Sequence, residues 1–207
     1  MAIMLFSLLA FAVSFDKVQF IALIKTPQRQ TGVLCCALVM AILWKIQAGI
    51  LPFLDIHILA ITAVTLILGW RLSLISTLLA SLLHFTFAAT QIEFFTFWLL
   101  TGIIPVYISY AIFLICYQYL PRHFFIYIFV CAFICAGIVA ACKIMLTGVY
   151  YWSVGLYDWQ TLQYNYMFYS VIMWFPEAML NGMAITLMIT YRPNWVRTFY
   201  DQEYLDR

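Results

Sequence analysis

Charge is scarce in this chain. Ten Lys or Arg and eight Asp or Glu occur in 207 residues, so charged side chains make up 9%, against about 25% in ordinary soluble domains. That scarcity excludes a basic face for nucleic acid and a soluble enzyme with a charged cleft. Histidine is rarer still, with three residues, and cysteine occurs six times without any CxxC spacing. Nothing in Cys35, Cys36, Cys116, Cys131, Cys135 and Cys142 resembles the spaced thiolates of a zinc site, and inside lipid a thiol is a small apolar filler. A Walker A pattern is absent, so this chain does not hold ATP through a P-loop. The opening MAIMLFSLLAFAVSF has no positively charged leader of the kind signal peptides carry; it reads as a retained first span.

What is present is apolar. Hydrophobic residues make up 67% of the chain and aromatic ones 19%, more than a soluble fold of this size can hide from water. The composition predicts an all-α, polytopic helical bundle in a membrane, a single integral domain over residues 1–207 with lipid as its surroundings. With roughly 20 apolar residues needed per crossing, the breaks at charges, Pro and Gly predict about seven spans: residues 1–24, 31–48, 54–69, 72–90, 94–119, 123–147 and 166–191. The third is short, which leaves six as an alternative. Asp16 and Lys17 interrupt the first; a helix that stops there would shorten it.

Lys25, Arg29, Arg71, Arg122, Arg192, Arg197 and Arg207 fall in alternate connections, whereas Asp55, Glu93 and Asp158 fall in the others. Lys and Arg mark cytoplasmic loops, so the amino terminus is expected outside and the carboxyl terminus inside. Lys45 and Lys143 lie near outer span ends, where they can snorkel to the interface. Residues 148–166 read as an aromatic-rich outer loop that forms either an interfacial belt or a lid.

Ionisable groups within apolar spans are expensive and mark function by default. Asp55 and His57 stand together at the outer end of the third span, Asp55 as a helix cap or a ligand. His84 sits in the fourth span at a depth that can match His57, and spans joined by so short a link are antiparallel neighbours. A carboxylate with imidazoles suits a divalent transition metal. Glu177 follows Pro176 near the middle of the last span, with Asn181 one turn on and facing the same way. Pro176 removes a backbone donor, and the freed carbonyl needs a partner. Glu177 is open to three readings: a neutral acid bonded to Asn181, a relay for metal or protons, or a partner for Lys45 or Lys143. Lys45 and Gln47 are weaker candidates for lining a cavity. His123 and Arg122 mark an inner boundary, and Ala132, Ala136, Gly137, Ala140 and Ala141 predict close helix packing. No nucleophile and base are paired, so no enzyme activity is expected.

Four stretches carry a resemblance: Leu54-Asp55-Ile56-His57 with the later Leu-Gly-Trp-Arg, Leu120-Pro121-Arg122-His123-Phe124-Phe125, Phe175-Pro176-Glu177 through Met183, and the tail from Tyr191 to Phe199. They resemble energy-coupling-factor transporter permeases, in a branch similar to the cobalt and nickel uptake components. The resemblance implies a substrate-binding subunit with cobalt or nickel as substrate and no covalent cofactor, working with a coupling transmembrane subunit and ATPase subunits. It implies that an outside amino terminus coordinates the metal together with a histidine at the position of His57. The group begins Met-His, whereas Met1 is followed here by Ala2; His84 is the candidate replacement. The metal set is thus His57, Asp55 and His84, and Glu177 with Asn181 is a pathway waypoint or buttress. An accessory subunit that has lost metal binding and an intramembrane enzyme using Glu177 are the competing expectations.

Overall fold

The computed structural model describes residues 2–87, 93–200 and 204. These residues form eight helices and one two-stranded antiparallel sheet. Helix α1 spans Ala2–Ser14, α2 Lys17–Lys25 and α3 Pro27–Lys45. A hairpin follows, with β1 at Gln47–Leu51 and β2 at Leu54–His57. Helix α4 is short, Ile61–Leu68, and α5 runs Trp70–Phe87. The long helices α6, α7 and α8 span Phe94–Tyr119, Phe124–Ser153 and Trp159–Tyr191. Each contains one widened, π-type stretch: Trp98–Ile103, Tyr127–Ile134 and Gln163–Met167.

Helices α6, α7 and α8 are long and apolar enough to cross a membrane, and α1 with α2 adds a fourth crossing if that bent pair is one span. The chain is therefore a helical membrane protein. The span expected at 94–119 has the bounds of α6. The span expected at 31–48 is shifted, because Pro27 opens α3 a turn earlier and residues from Gln47 onward pair as strand. The span expected at 72–90 corresponds to α5, and its last residues, 88–90, lie outside the described residues. So do Met1 and Arg207.

Three expectations need correction. The first span is not one helix. It stops at Ser14, and the chain turns 76° into α2. Asp16 causes the break: its side chain accepts from the Val18 amide at 2.9 Å, capping α2, and its other oxygen takes Arg71 at 2.8 Å. The third span is a strand followed by an eight-residue helix, about 12 Å long at 1.5 Å per residue and too short to cross. The outer loop is smaller than expected, since α7 runs on to Ser153 and α8 begins at Trp159. Asp158 caps α8 by accepting from the Thr161 amide at 2.8 Å and its hydroxyl at 2.6 Å, bonds that hold its carboxyl below the ordinary range.

The core follows from small residues on α7. Ala132, Ala136 and Ala140 are buried, and α8 packs along them. At Gly137 an added Cβ would collide with the Trp174 indole, so glycine is what lets the two backbones approach. Cys131 and Cys135 are buried free thiols, and Cys135 Sγ lies 3.8 Å from the Ser109 carbonyl of α6. Gly137→Ala is expected to lower stability by about 1–3 kcal/mol through overpacking, read as a lower apparent melting temperature in detergent.

Candidate functional site

The first element to place is the link between hairpin and short helix. Backbone outside regular structure survives at membrane depth only when buried in protein with its polar groups satisfied. Leu59 and Ala60 are 2% and 4% exposed. Their amides donate to the two carboxylate oxygens of Glu177, at 2.8 and 2.7 Å. The Leu59 carbonyl accepts from the Trp44 indole at 3.1 Å. One turn along α8, Asn181 accepts the Ala63 amide through Oδ1 at 2.8 Å and donates through Nδ2 to Glu177 Oε1 at 2.8 Å. The first amides of a helix have no internal partner, and its positive end favours an anion. Glu177 and Asn181 thus cap α4 from another helix. Glu177 does bond to Asn181, but both of its oxygens accept N–H donors, the pattern of a carboxylate and not of the neutral acid expected in that reading.

The far end of α4 is held as well. Its last carbonyls need donors, and the segment after α8 supplies them. The Arg197 amide donates to Ile67 at 3.0 Å, the Thr198 hydroxyl to Leu66 at 2.8 Å, and the Arg197 guanidinium to Leu68 at 3.2 Å. Gly69, at φ 74°, makes the turn into α5.

The hairpin extends from the end of α3 to the turn between α7 and α8. Its register pairs Gln47 with His57 and Gly49 with Asp55. At its tip the Pro52 carbonyl accepts from Tyr157 at 3.0 Å. Asp55 lies within a strand, so it is not the helix cap that one reading of the sequence expected. Side chains two apart share a strand face, and Phe53, Asp55 and His57 all line one small cavity. Lys143, Thr147 and Tyr151, each one turn apart on α7, line it too, with Phe97 and Thr101 of α6. Its volume is about 20 Å³, room for about one water-sized occupant.

Lys143 is a second correction. It is 6% exposed and faces this cavity instead of snorkelling outward. Lys45 and Gln47 are exposed and do not line it. Tyr151 and Tyr166, expected in the outer loop, are buried beneath the hairpin with Leu54 and Ile56.

His57 and His84 come from separate elements and meet the same two rings. His84 stacks on Phe97, with centroids 5.0 Å apart and planes at 2°, and His57 lies 6.0 Å from the same ring. Trp44 stands 6.0 Å from His57 and 6.5 Å from His84. The imidazoles are 6% and 1% exposed, and none of their four ring nitrogens has a hydrogen-bond partner. Buried polar atoms without partners are rare and call for a ligand, water or ion. The arrangement joins His57 to Asp55 around the cavity and joins His57 to His84 through shared aromatic neighbours. No group of three His, Cys, Asp or Glu side chains gathers tightly enough to hold a metal among the described residues. Met1, whose amine the resemblance makes a ligand, lies outside them.

Sequence reasoning did not find Trp44, Phe97, Thr101 or the tail as parts of this arrangement. Pro52 followed by a turn, between Gly49 and Asp55, was the available sign of a hairpin. No family model matches the chain, and no curated protein or solved structure matches it.

Two stability predictions follow from the clamp on α4. Glu177→Ala leaves two buried amides without acceptors, at about 1–3 kcal/mol each, so unfolding in mixed detergent should shift strongly; Glu177→Gln keeps one acceptor and should shift less. Ala60 adopts φ 57°, a conformation costing an L-residue about 1–2 kcal/mol, so Ala60→Gly is expected to raise the apparent melting temperature.

Proposed function

We propose that this protein is the substrate-binding membrane subunit of a transporter for a divalent transition metal, cobalt or nickel. The observation that carries the reading is the pair of buried imidazoles, His57 on the hairpin and His84 on α5, whose ring nitrogens have no partner. Neutral imidazole is a borderline-soft nitrogen donor suited to these metals. Asp55 lies on the His57 face of the hairpin and supplies a carboxylate at the cavity.

The remaining features support a carrier without bond-making chemistry. The metal enters from the outer side, where the hairpin covers the imidazoles, and α4 is a discontinuous helix of the type that borders transporter sites. Arg29, Arg71 and Arg197 line two adjoining cavities at the opposite end, and Arg122 stacks 4.2 Å over Tyr117 there. Such clustering of cations supports a cytoplasmic inner face, an outside amino terminus and a multi-pass inner-membrane setting. Energy would come from a coupling transmembrane subunit and ATPase subunits.

A second reading is an accessory subunit that has lost metal binding. The side chain that favours it is Lys143, whose ammonium group stands in the cavity of Asp55 and His57 and opposes a second cation there.

Metal analysis of the purified protein separates the two. Transport predicts about one equivalent of cobalt or nickel, with affinity lowered more than about tenfold in His57→Ala and in His84→Ala. Folded protein that takes up neither ion, yet co-purifies with partner proteins, would establish the accessory role instead.

A further inference from the structure

We propose that the cavity between the α4–α5 corner, α6 and the carboxyl-terminal tail binds the phosphate headgroup of an anionic phospholipid. This site lies at the other end of the bundle from the imidazoles and is independent of the metal reading. Its volume is about 400 Å³, within the range of about 300–1,000 Å³ typical of small-molecule sites.

Two guanidinium groups line it, Arg71 and Arg197, and among the described residues no carboxylate does. Arg71 is placed from both sides. Asp16 takes Nη1 at 2.8 Å, and the Trp70 ring lies 4.9 Å below the guanidinium carbon. Its Nε is buried and has no partner. Arg197 Nη1 donates to the Leu68 carbonyl at 3.2 Å and to Gln19 at 3.4 Å. Each guanidinium carries five N–H donors in a planar fork, so both keep donors for a further acceptor. Asp16 offsets one of the two positive charges, so the described lining carries a net positive charge. Phosphate oxygens, planar-fork recognition and a net positive lining match one another.

The rim selects the source of that phosphate. Leu114 lines the cavity and is 46% exposed, and Ile115 beside it is 57% exposed. In a membrane this face of α6 meets acyl chains. A headgroup seated on Arg71 and Arg197 would therefore leave its chains along α6, a contact free phosphate cannot make. Tyr110 and Tyr117 complete the wall with amphipathic rings, the side chains that suit the headgroup level.

The test is native mass spectrometry of the full chain released from a neutral detergent and titrated with phosphatidylglycerol, phosphatidylcholine or inorganic phosphate. Phosphatidylglycerol should bind one per chain, about tenfold tighter than phosphatidylcholine, a difference of about 1.4 kcal/mol. Arg71→Gln should abolish that preference, while Lys25→Gln, an equal loss of charge at an exposed position away from the cavity, should leave it. Arg71→Lys keeps the charge beside Asp16 and loses the fork; it should bind more weakly than the parent even if Arg71→Gln fails to fold. Equal losses in Arg71→Gln and Lys25→Gln would overturn the proposal in favour of diffuse charge attraction. Equal binding of the two lipids, or displacement of phosphatidylglycerol by millimolar inorganic phosphate, would overturn the anionic lipid as the occupant.

Discussion

The structure depends on one set of hydrogen bonds, those that Glu177 and Asn181 make to the start of α4. A chain that enters an apolar bundle as a strand and leaves it as a helix exposes amides that nothing local can satisfy. Glu177 takes two of them and Asn181 a third, while the Asn181 side chain steadies the carboxylate. With these amides paired, Leu54 to Leu68 can remain inside the bundle without being a crossing helix. Everything at the hairpin end follows from that placement. The hairpin returns along the ends of α6 and α7, and His57 is brought to Phe97 and Trp44, where His84 also lies.

That arrangement is tightly built. Aromatic rings surround both imidazoles, and the adjoining cavity has room for a single small occupant. Thr101 and Thr147 supply hydroxyl oxygens, Asp55 a carboxylate and Lys143 an ammonium in the same space.

The apolar runs were legible because hydrocarbon thickness sets their length; Phe94 and Tyr119 bound α6 where charge and helix breakers bound the run. The one-turn spacing of Glu177 and Asn181 was equally plain. What escaped was the conformation inside the run from Leu54 to Gly69. A buried strand and a buried helix are both apolar, and no periodicity separates four residues of one from eight of the other. The partners that decide the matter lie 117 and 118 residues away, so no local pattern contains them. Lys143 escaped for a related reason. Its position near a span end suggested an outward reach, whereas the face of α7 it occupies points at Asp55. The tail was read as a charged inner segment; its backbone role at the end of α4 depends on Arg197 and Thr198 meeting carbonyls on a chain segment about 130 residues earlier.

Both grips on α4 come from one stretch of chain: Glu177 and Asn181 hold its beginning, and Arg197 and Thr198, just past the end of the same helix α8, hold its finish. The two helices are thereby yoked like a handle and its crossbar. A partner that pulled on the carboxyl-terminal segment would transmit the displacement through α4 to the peptide beside His57, without any need for the intervening apolar layers to repack.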